Sequence, residues 1–297
     1  MRRLLVFALL VYCVILYRAA TQAATLDEAD AYNAFSTGNP DLSFYPSSGN
    51  HVLNSLLARY TTEAFGLSQF TFRIPAMLGA ALYLLAAASI ALRIGRERAL
   101  LGFAIFTLNP FVLDYLVASR GYALALGLLA TAVALGMRVL DGSARRPYLD
   151  CAGLSVCCGL AVAANFSFAF AILSLVAAFL LVVLLKGTSK WRWLGLACST
   201  CLPGLLVGLA IVGQTLRDFP RTQLYYGAEN WTEMWTVMSE AVFPRENLTF
   251  PAVPLATAHV AAGYLVLVSI LIGIWAAAST QSWAMRRVSL EIGRAHV

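Results

Sequence analysis

"LDCAGLSVCCGLAVAANFSFAFAILSLVAAFLLVVLL", residues 149–185, is an almost unbroken apolar run whose most polar interior step is Asn165-Phe166-Ser167. A helix needs about 20 residues to cross about 30 Å of hydrocarbon. About 37 residues is therefore too long for a single crossing, even with tilt. The run divides at Asn165-Phe166-Ser167 into two spans, 149–164 and 166–185, joined as a hairpin. Working outward, comparable apolar runs lie at 4–20, 74–92, 99–117, 121–138, 193–213 and 255–278. The expectation is an all-α polytopic membrane protein, a bundle of about eight transmembrane helices. Composition agrees: 60% of the 297 residues are hydrophobic, 12% are charged and the mean hydropathy is +0.74, values outside the range of soluble domains.

The basic residues set an expected orientation. They cluster at Arg2/Arg3, Arg93/Arg96/Arg98, Arg138/Arg145/Arg146, Lys186/Lys190/Arg192 and Arg286/Arg287, at the ends of alternate spans. The positive-inside rule places all five clusters, and the N-terminus, in the cytoplasm. Two long segments, 21–73 and 214–254, then face outward. The net charge of +6 follows from this topology and implies no nucleic-acid partner. Nineteen arginines against two lysines, with abundant alanine, suit a GC-rich bacterial genome and hence a bacterial plasma membrane.

The start, "MRRLLVFALLVYCVILYRAATQAATL", has the basic and apolar regions of a signal peptide with small residues near Ala23. We read it as a retained first helix. The last seven residues, "EIGRAHV" at 291–297, look like translated adapter DNA, so the expectation is one domain over 1–290 belonging to a longer chain.

Cys13, Cys151, Cys157, Cys158, Cys198 and Cys201 all sit in apolar spans, where a thiol behaves as a small hydrophobe. The Cys198-x-x-Cys201 spacing has no partner pair for a metal, and Gly204-x-x-x-Gly208 reads as a close helix contact. No Walker loop, nucleotide-binding glycine fingerprint or internal repeat stands out.

Polar chemistry concentrates in the outer segments. "TLDEADAYNAF", residues 25–35, places Asp27, Glu28 and Asp30 just beyond the first span. Thr25 and Glu28 have capping-box spacing, and acids suit the positive end of a helix. That accounts for Glu28 and partly for Asp27 but does not require three acids. An outward carboxylate is also what proton abstraction from a hydroxyl needs. Residues 50–64 predict a short helix with Leu53, Leu56, Leu57, Tyr60 and Ala64 on one face and His51, Asn54, Ser55, Arg59 and Thr62 on the other. It is expected to lie flat on the membrane, with Arg59 meeting headgroups. Arg73 falls at the edge of the span beginning at Ile74, and Asp114 and Arg120 flank a brief outward excursion. A lone arginine there is ordinarily a snorkelling anchor. Two arginines on the same side as the acid cluster suggest an anionic ligand such as a lipid phosphate.

These features together resemble the polytopic glycosyltransferases of the GT-C fold, the protein O-mannosyltransferase-like and lipid A aminoarabinose transferase-like enzymes that use polyprenyl-phosphate sugars. The matching stretches are Asp27-Glu28 after the first span, "NHVLNSLLARY" at 50–60, Phe70-Thr-Phe-Arg73-Ile-Pro75, and "SRGYAL" at 119–124 with Tyr122 inside it. They cover residues 1–140; beyond that the resemblance rests on alternating spans.

The resemblance implies an inverting transfer at the outer membrane face, from a polyprenyl-phosphate sugar to a glycan, lipid or protein acceptor. Asp27 would be the base. Arg73 and Arg120 would hold the phosphate, and Tyr122 would contribute to substrate binding. Glu28, Asp114 and His51 are second choices, orienting the acceptor or holding a divalent cation. Tyr225, Tyr226, Trp231 and Trp235 in the second outer segment fit an interfacial aromatic belt as well as sugar stacking. The sequons at Asn230 and Asn247 carry meaning only in a secretory pathway. A transporter or flippase for an anionic or lipid-linked substrate is the alternative; it would need ionisable groups near mid-membrane or a repeated half.

Overall fold

The computed structural model describes residues 2–95, 98–186, 189–219, 230 and 233. The chain divides into two units, Met1–Leu224 and Tyr225–Val297. In the second unit, the Glu233 amide donates to Asn230 Oδ1 at 2.8 Å. The expected span 255–278, Tyr225, Tyr226, Trp231, Trp235 and Asn247, and the 291–297 tail lie outside the described residues.

The described part of the first unit is helical, without strands. Six helices are long and apolar enough to cross a membrane: α1 (Arg2–Thr21), α4 (Ile74–Ile94), α7 (Tyr122–Leu140), α8 (Pro147–Ala164), α9 (Phe168–Leu185) and α10 (Lys190–Arg217). Two shorter helices, α2 (Leu26–Phe35) and α3 (Val52–Phe65), occupy the long segment between α1 and α4. The long apolar run divides where its sequence indicates. Asn165 ends α8, and its Oδ1 accepts the Ser167 amide at 3.0 Å to start the turn into α9.

The expected span at 99–117 is not one helix. It is α5 (Ala99–Thr107) followed by α6 (Pro110–Tyr115). Pro110 disfavours helical geometry at the residue before it. Asn109 is accordingly extended and turns its side chain to cap α6, accepting the Phe111 amide at 3.0 Å. The segment still runs the length of α4. It begins at the α4 C-terminus, where the Arg98 amide donates to Gly95 O at 3.1 Å, and reaches the α4 N-terminus, where Ser119 Oγ donates to Phe72 O at 2.8 Å.

Contacts between helix ends sort the polar segments onto two ends of the bundle. At one end Arg93 pairs with Asp141, Arg138 pairs with Asp150 at 3.3 Å, and Lys186 donates to Leu140 O. At the other, Gly121 meets Ala164, and Thr215 Oγ1 donates to Phe44 O at 3.0 Å. The described basic clusters therefore share one end, and residues 21–73 lie at the other.

Small residues set the packing. A Cβ on Gly79 would lie 2.3 Å from the Ala123 carbonyl carbon, and one on Gly127 would lie 2.2 Å from Gly79 O, so α4 and α7 touch backbone to backbone. The α8 and α10 helices do the same. A Cβ on Gly204 would meet Ser155 O at 1.9 Å, and the Gly204 amide donates to Ser155 Oγ at 2.7 Å. Close approach of this kind replaces the hydrophobic drive that helices lack inside lipid. Large apolar side chains turn outward instead: Leu9, Phe170, Leu173 and Leu206 are exposed, as a lipid-facing surface requires.

The glycine contacts carry a prediction. Gly79→Leu or Gly204→Leu forces backbone apart at a helix crossing and is expected to cost at least about 3 kcal/mol. Gly213→Leu, where nothing lies within 4 Å of an added Cβ, is expected to be neutral. Thermal unfolding of the purified variants in detergent separates the two classes.

Candidate functional site

The three acids of the 25–35 stretch have different fates, decided by the first turn of α2. Thr25 caps the helix as its spacing predicts: its side chain accepts the Glu28 amide, and the Glu28 carboxylate accepts the Thr25 amide at 2.9 Å. This folds Glu28 inward to 1% exposure and leaves Asp27 and Asp30 exposed.

Glu28 meets Arg73, also 1% exposed, in a bidentate pair. Arg73 Nε donates to Oε1 at 3.0 Å and Nη2 donates to Oε2 at 2.8 Å. The remaining Arg73 donors go to backbone carbonyls at and just beyond the end of α1: Ala19 and Gln22 from Nη1, Ala23 from Nη2. All five guanidinium protons are thus used within the chain. Glu28 Oε1 also accepts the Ser119 amide at 2.8 Å. Burial raises the Glu28 pKa, but hydrogen bonds from Arg73, Thr25 and Ser119 and the Arg73 charge outweigh it, holding the carboxyl below its ordinary value.

One residue along each chain segment, the partners turn outward. Asp27 pairs with Arg120; their side chains are 69% and 26% exposed. The buried pair thus sets the exposed one, because Glu28 grips Ser119 and presents Asp27 to the next side chain. Arg120 precedes Gly121, whose φ of +73° and 2.0 Å approach of a built Cβ to Ala164 O admit no side chain. His51 lies against the same glycine, its Cβ 3.1 Å from that built position. The His51 ring neighbours Tyr122 at 5.8 Å, and Tyr122 neighbours Tyr115 at 4.6 Å between centroids.

His51 is 7% exposed, and neither ring nitrogen has a hydrogen-bond partner among the described residues. Burial, then the nearby Arg120 charge, lower its pKa to about 4, so the ring is neutral at pH 7. His51, Asn54, Tyr32 and Phe72 border a cavity of about 10 Å³, room for one water. Asn54 Nδ2 donates to Ser119 O at 3.0 Å, while Asn54 Oδ1 has no partner among the described residues.

The α3 helix reverses the expected placement of its polar face. Asn54, Ser55, Arg59 and Thr62 are buried, while Tyr60 is exposed and Leu53, Leu56 and Leu57 are half-buried. Arg59 does not reach headgroups. It is 4% exposed and donates to the Thr37, Gly38 and Asn39 carbonyls and to Ser43 Oγ, fastening the 37–43 loop. The polar face is inward because an irregular loop of free carbonyls needs donors more than lipid headgroups do.

Asp27, Glu28, Arg73, Arg120, His51 and Tyr122 therefore share one end of the bundle. Asp114 sits at that end and pairs with Arg18 at 2.6 Å. Of the two arginines, Arg73 has no donor free for an outside anion, whereas Arg120 is partly exposed. Glu28 is likewise engaged with Arg73 and unsuited to proton transfer. No group of three or more His, Cys, Asp or Glu side chains converges among the described residues, and the divalent-cation alternative has no donor set there. Sequence reading missed Arg18, Ser119 and Gly121. The Ser119-Arg120-Gly121 order within "SRGYAL" was the available signal.

Two outcomes follow from these pairs. Glu28→Gln leaves the buried Arg73 without a counter-charge and is expected to cost roughly 3–5 kcal/mol, whereas Asp27→Asn at the exposed pair costs at most about 1 kcal/mol. Thermal or denaturant unfolding of the two variants in detergent measures the difference.

His51 gives a pH dependence. Above pH 6.5 it is neutral both folded and unfolded and contributes none. Between 6.5 and about 4 the unfolded ring takes a proton that the folded ring refuses, so stability falls on acidification, by on the order of 3 kcal/mol. The Glu28 contribution, present above the unfolded carboxyl pKa, is lost only as pH falls through its lower folded value. A His51→Gln variant is therefore expected to lose the dependence between pH 6.5 and 4 while keeping the more acidic one.

No protein family, curated protein or solved structure matches this chain.

Proposed function

We propose that this chain is a membrane glycosyltransferase that moves a sugar from a polyprenyl-phosphate donor to an acceptor hydroxyl, by inversion, at the outer membrane face. The observation that carries the reading is the exposed Asp27–Arg120 pair, held in place by the buried Glu28–Ser119 contact one residue away on each side, which the Glu28–Arg73 pair anchors. A carboxylate and a guanidinium at a membrane-edge site match the two charges the reaction handles. The Asp27 carboxylate takes the acceptor proton, and the acceptor oxygen attacks the anomeric carbon. The bond from that carbon to the phosphate oxygen breaks, and its electron pair leaves with the phosphate. Arg120 meets the charge that grows there. Tyr122 and His51 line the same end, where an aromatic ring and a neutral imidazole suit a sugar. Arg73 and Glu28 act as the scaffold.

In the free chain Arg120 occupies the carboxylate that serves as base. A donor phosphate offers Arg120 a stronger bidentate partner than a single exposed carboxylate and thereby releases Asp27. Donor binding then precedes deprotonation. The transporter alternative draws on charges at mid-membrane. Among the described residues, every charged side chain of the six long helices lies within about one turn of a helix end.

The test is sugar transfer from a polyprenyl-phosphate donor by purified protein in nanodiscs, with donor binding measured on the same samples. Asp27→Asn is expected to slow transfer by roughly 10²- to 10⁴-fold while donor binding is retained or tightened, because the competitor for Arg120 is gone. Arg120→Lys is expected to weaken donor binding. Wild-type transfer rates in Asp27→Asn would remove Asp27 as the base. Absence of donor binding by the wild type would end the glycosyltransferase reading.

A further inference from the structure

At the opposite end of the bundle, a groove of about 640 Å³ opens between α1 and α5. It is large enough for a small ligand. Its walls are apolar, with Phe7 and Leu10 on α1 and Leu101 and Ala104 on α5, and its lining also includes Arg2 and Arg3. The groove lies along the first two turns of α5, where Ala104 presents only a methyl group to it. Phe7 packs edge-on against the fully buried Phe103 at 5.7 Å between centroids.

Leu10 and Leu101 are 58% and 65% exposed, which inside a bilayer means facing lipid chains. The stretch from Arg3 to Leu10 advances about 10 Å along the helix axis, from the polar boundary into one leaflet. Arg2 and Arg3 form no hydrogen bond or ion pair among the described residues. The two described acids at this end, Asp141 and Asp150, are taken by Arg93 and Arg138. An apolar slot with two cations that have no counter-charge among the described residues at its membrane-surface end complements a molecule with a hydrocarbon tail and an anionic head.

We propose that the α1–α5 groove binds an anionic phospholipid, with one acyl chain along Phe7, Leu10, Leu101 and Ala104 and the phosphate on Arg2 and Arg3. The site is independent of the transfer chemistry at the far end. Specificity comes from the combination: the arginines select the charge, and the groove holds one chain in place where ordinary surface lipids exchange.

Native mass spectrometry tests this on protein released from nanodiscs of equal parts phosphatidylglycerol and phosphatidylcholine. Wild-type protein is expected to retain phosphatidylglycerol in preference, at about one per chain. The Arg2→Gln/Arg3→Gln double variant is expected to lose retention roughly thirtyfold. Ala104→Phe, which fills the slot without changing charge, is expected to lose it at least about tenfold, and Ala104→Leu serves if the larger ring disturbs folding. Arg145→Gln/Arg146→Gln, a basic pair at the same end but outside the groove, is expected to leave retention unchanged. Equal retention of the two lipids by the wild type would overturn the proposal. So would full retention by a folded Ala104 variant, since the arginines alone would then account for the binding.

Discussion

The buried pair of Glu28 and Arg73 is the constraint on which the polar end of this bundle depends. Two charges at 1% exposure are tolerated only if each is neutralised and fully hydrogen-bonded. Satisfying that requirement draws together four separate pieces of chain: the carbonyls that end α1, the cap of α2, the entry to α4, and the Ser119 turn before α7. No one of these contacts fixes the end of the bundle alone. Because both ions share one set of partners, displacing any one piece leaves a charge uncompensated.

The exposed chemistry is a by-product of that inner order. Asp27 precedes Glu28 in the first turn of α2 and Arg120 follows Ser119, so their meeting is set by the buried residues next to them. Gly121 adds a second fixed point by letting the chain pass against Ala164 O where no side chain fits. His51 is pressed into the same junction, neutral and without a partner among the described residues. A site built this way places a carboxylate, a guanidinium, an imidazole and two tyrosines at one membrane edge while needing few loop contacts of its own.

The two ends of the bundle differ in kind. At the Asp27 end, polar groups are buried and mutually satisfied before a few are offered outward. At the Arg2 end, the described ion pairs are exposed or half-exposed, and the apolar groove beside α5 stays open. The difference traces to length. The 21–73 segment is long enough to fold its own helices over the bundle, whereas the connections between α7 and α8 and between α9 and α10 are short.

Much of the architecture was legible in the sequence because lipid imposes a simple rule: long apolar runs must be helices, and helices must end where polarity returns. The division at Asn165-Phe166-Ser167, the capping box at Thr25 and Glu28, and the close contact at Gly204 are all local signals, and each appears as read. The break at Asn109-Pro110 was equally local and was overridden by the hydropathy of its surroundings. What only the tertiary structure decided is which way polar groups face. Periodicity separates the two faces of α3 but does not say that the polar one is buried, because the carbonyls that Arg59 satisfies come from residues 37–39, about twenty positions away. In the same way, nothing in Arg73 and Arg120 as sequence distinguishes a fully bonded structural ion from one still half-exposed. That distinction depends on partners 45 and 93 positions distant, and proximity of that kind is a property of the packed chain.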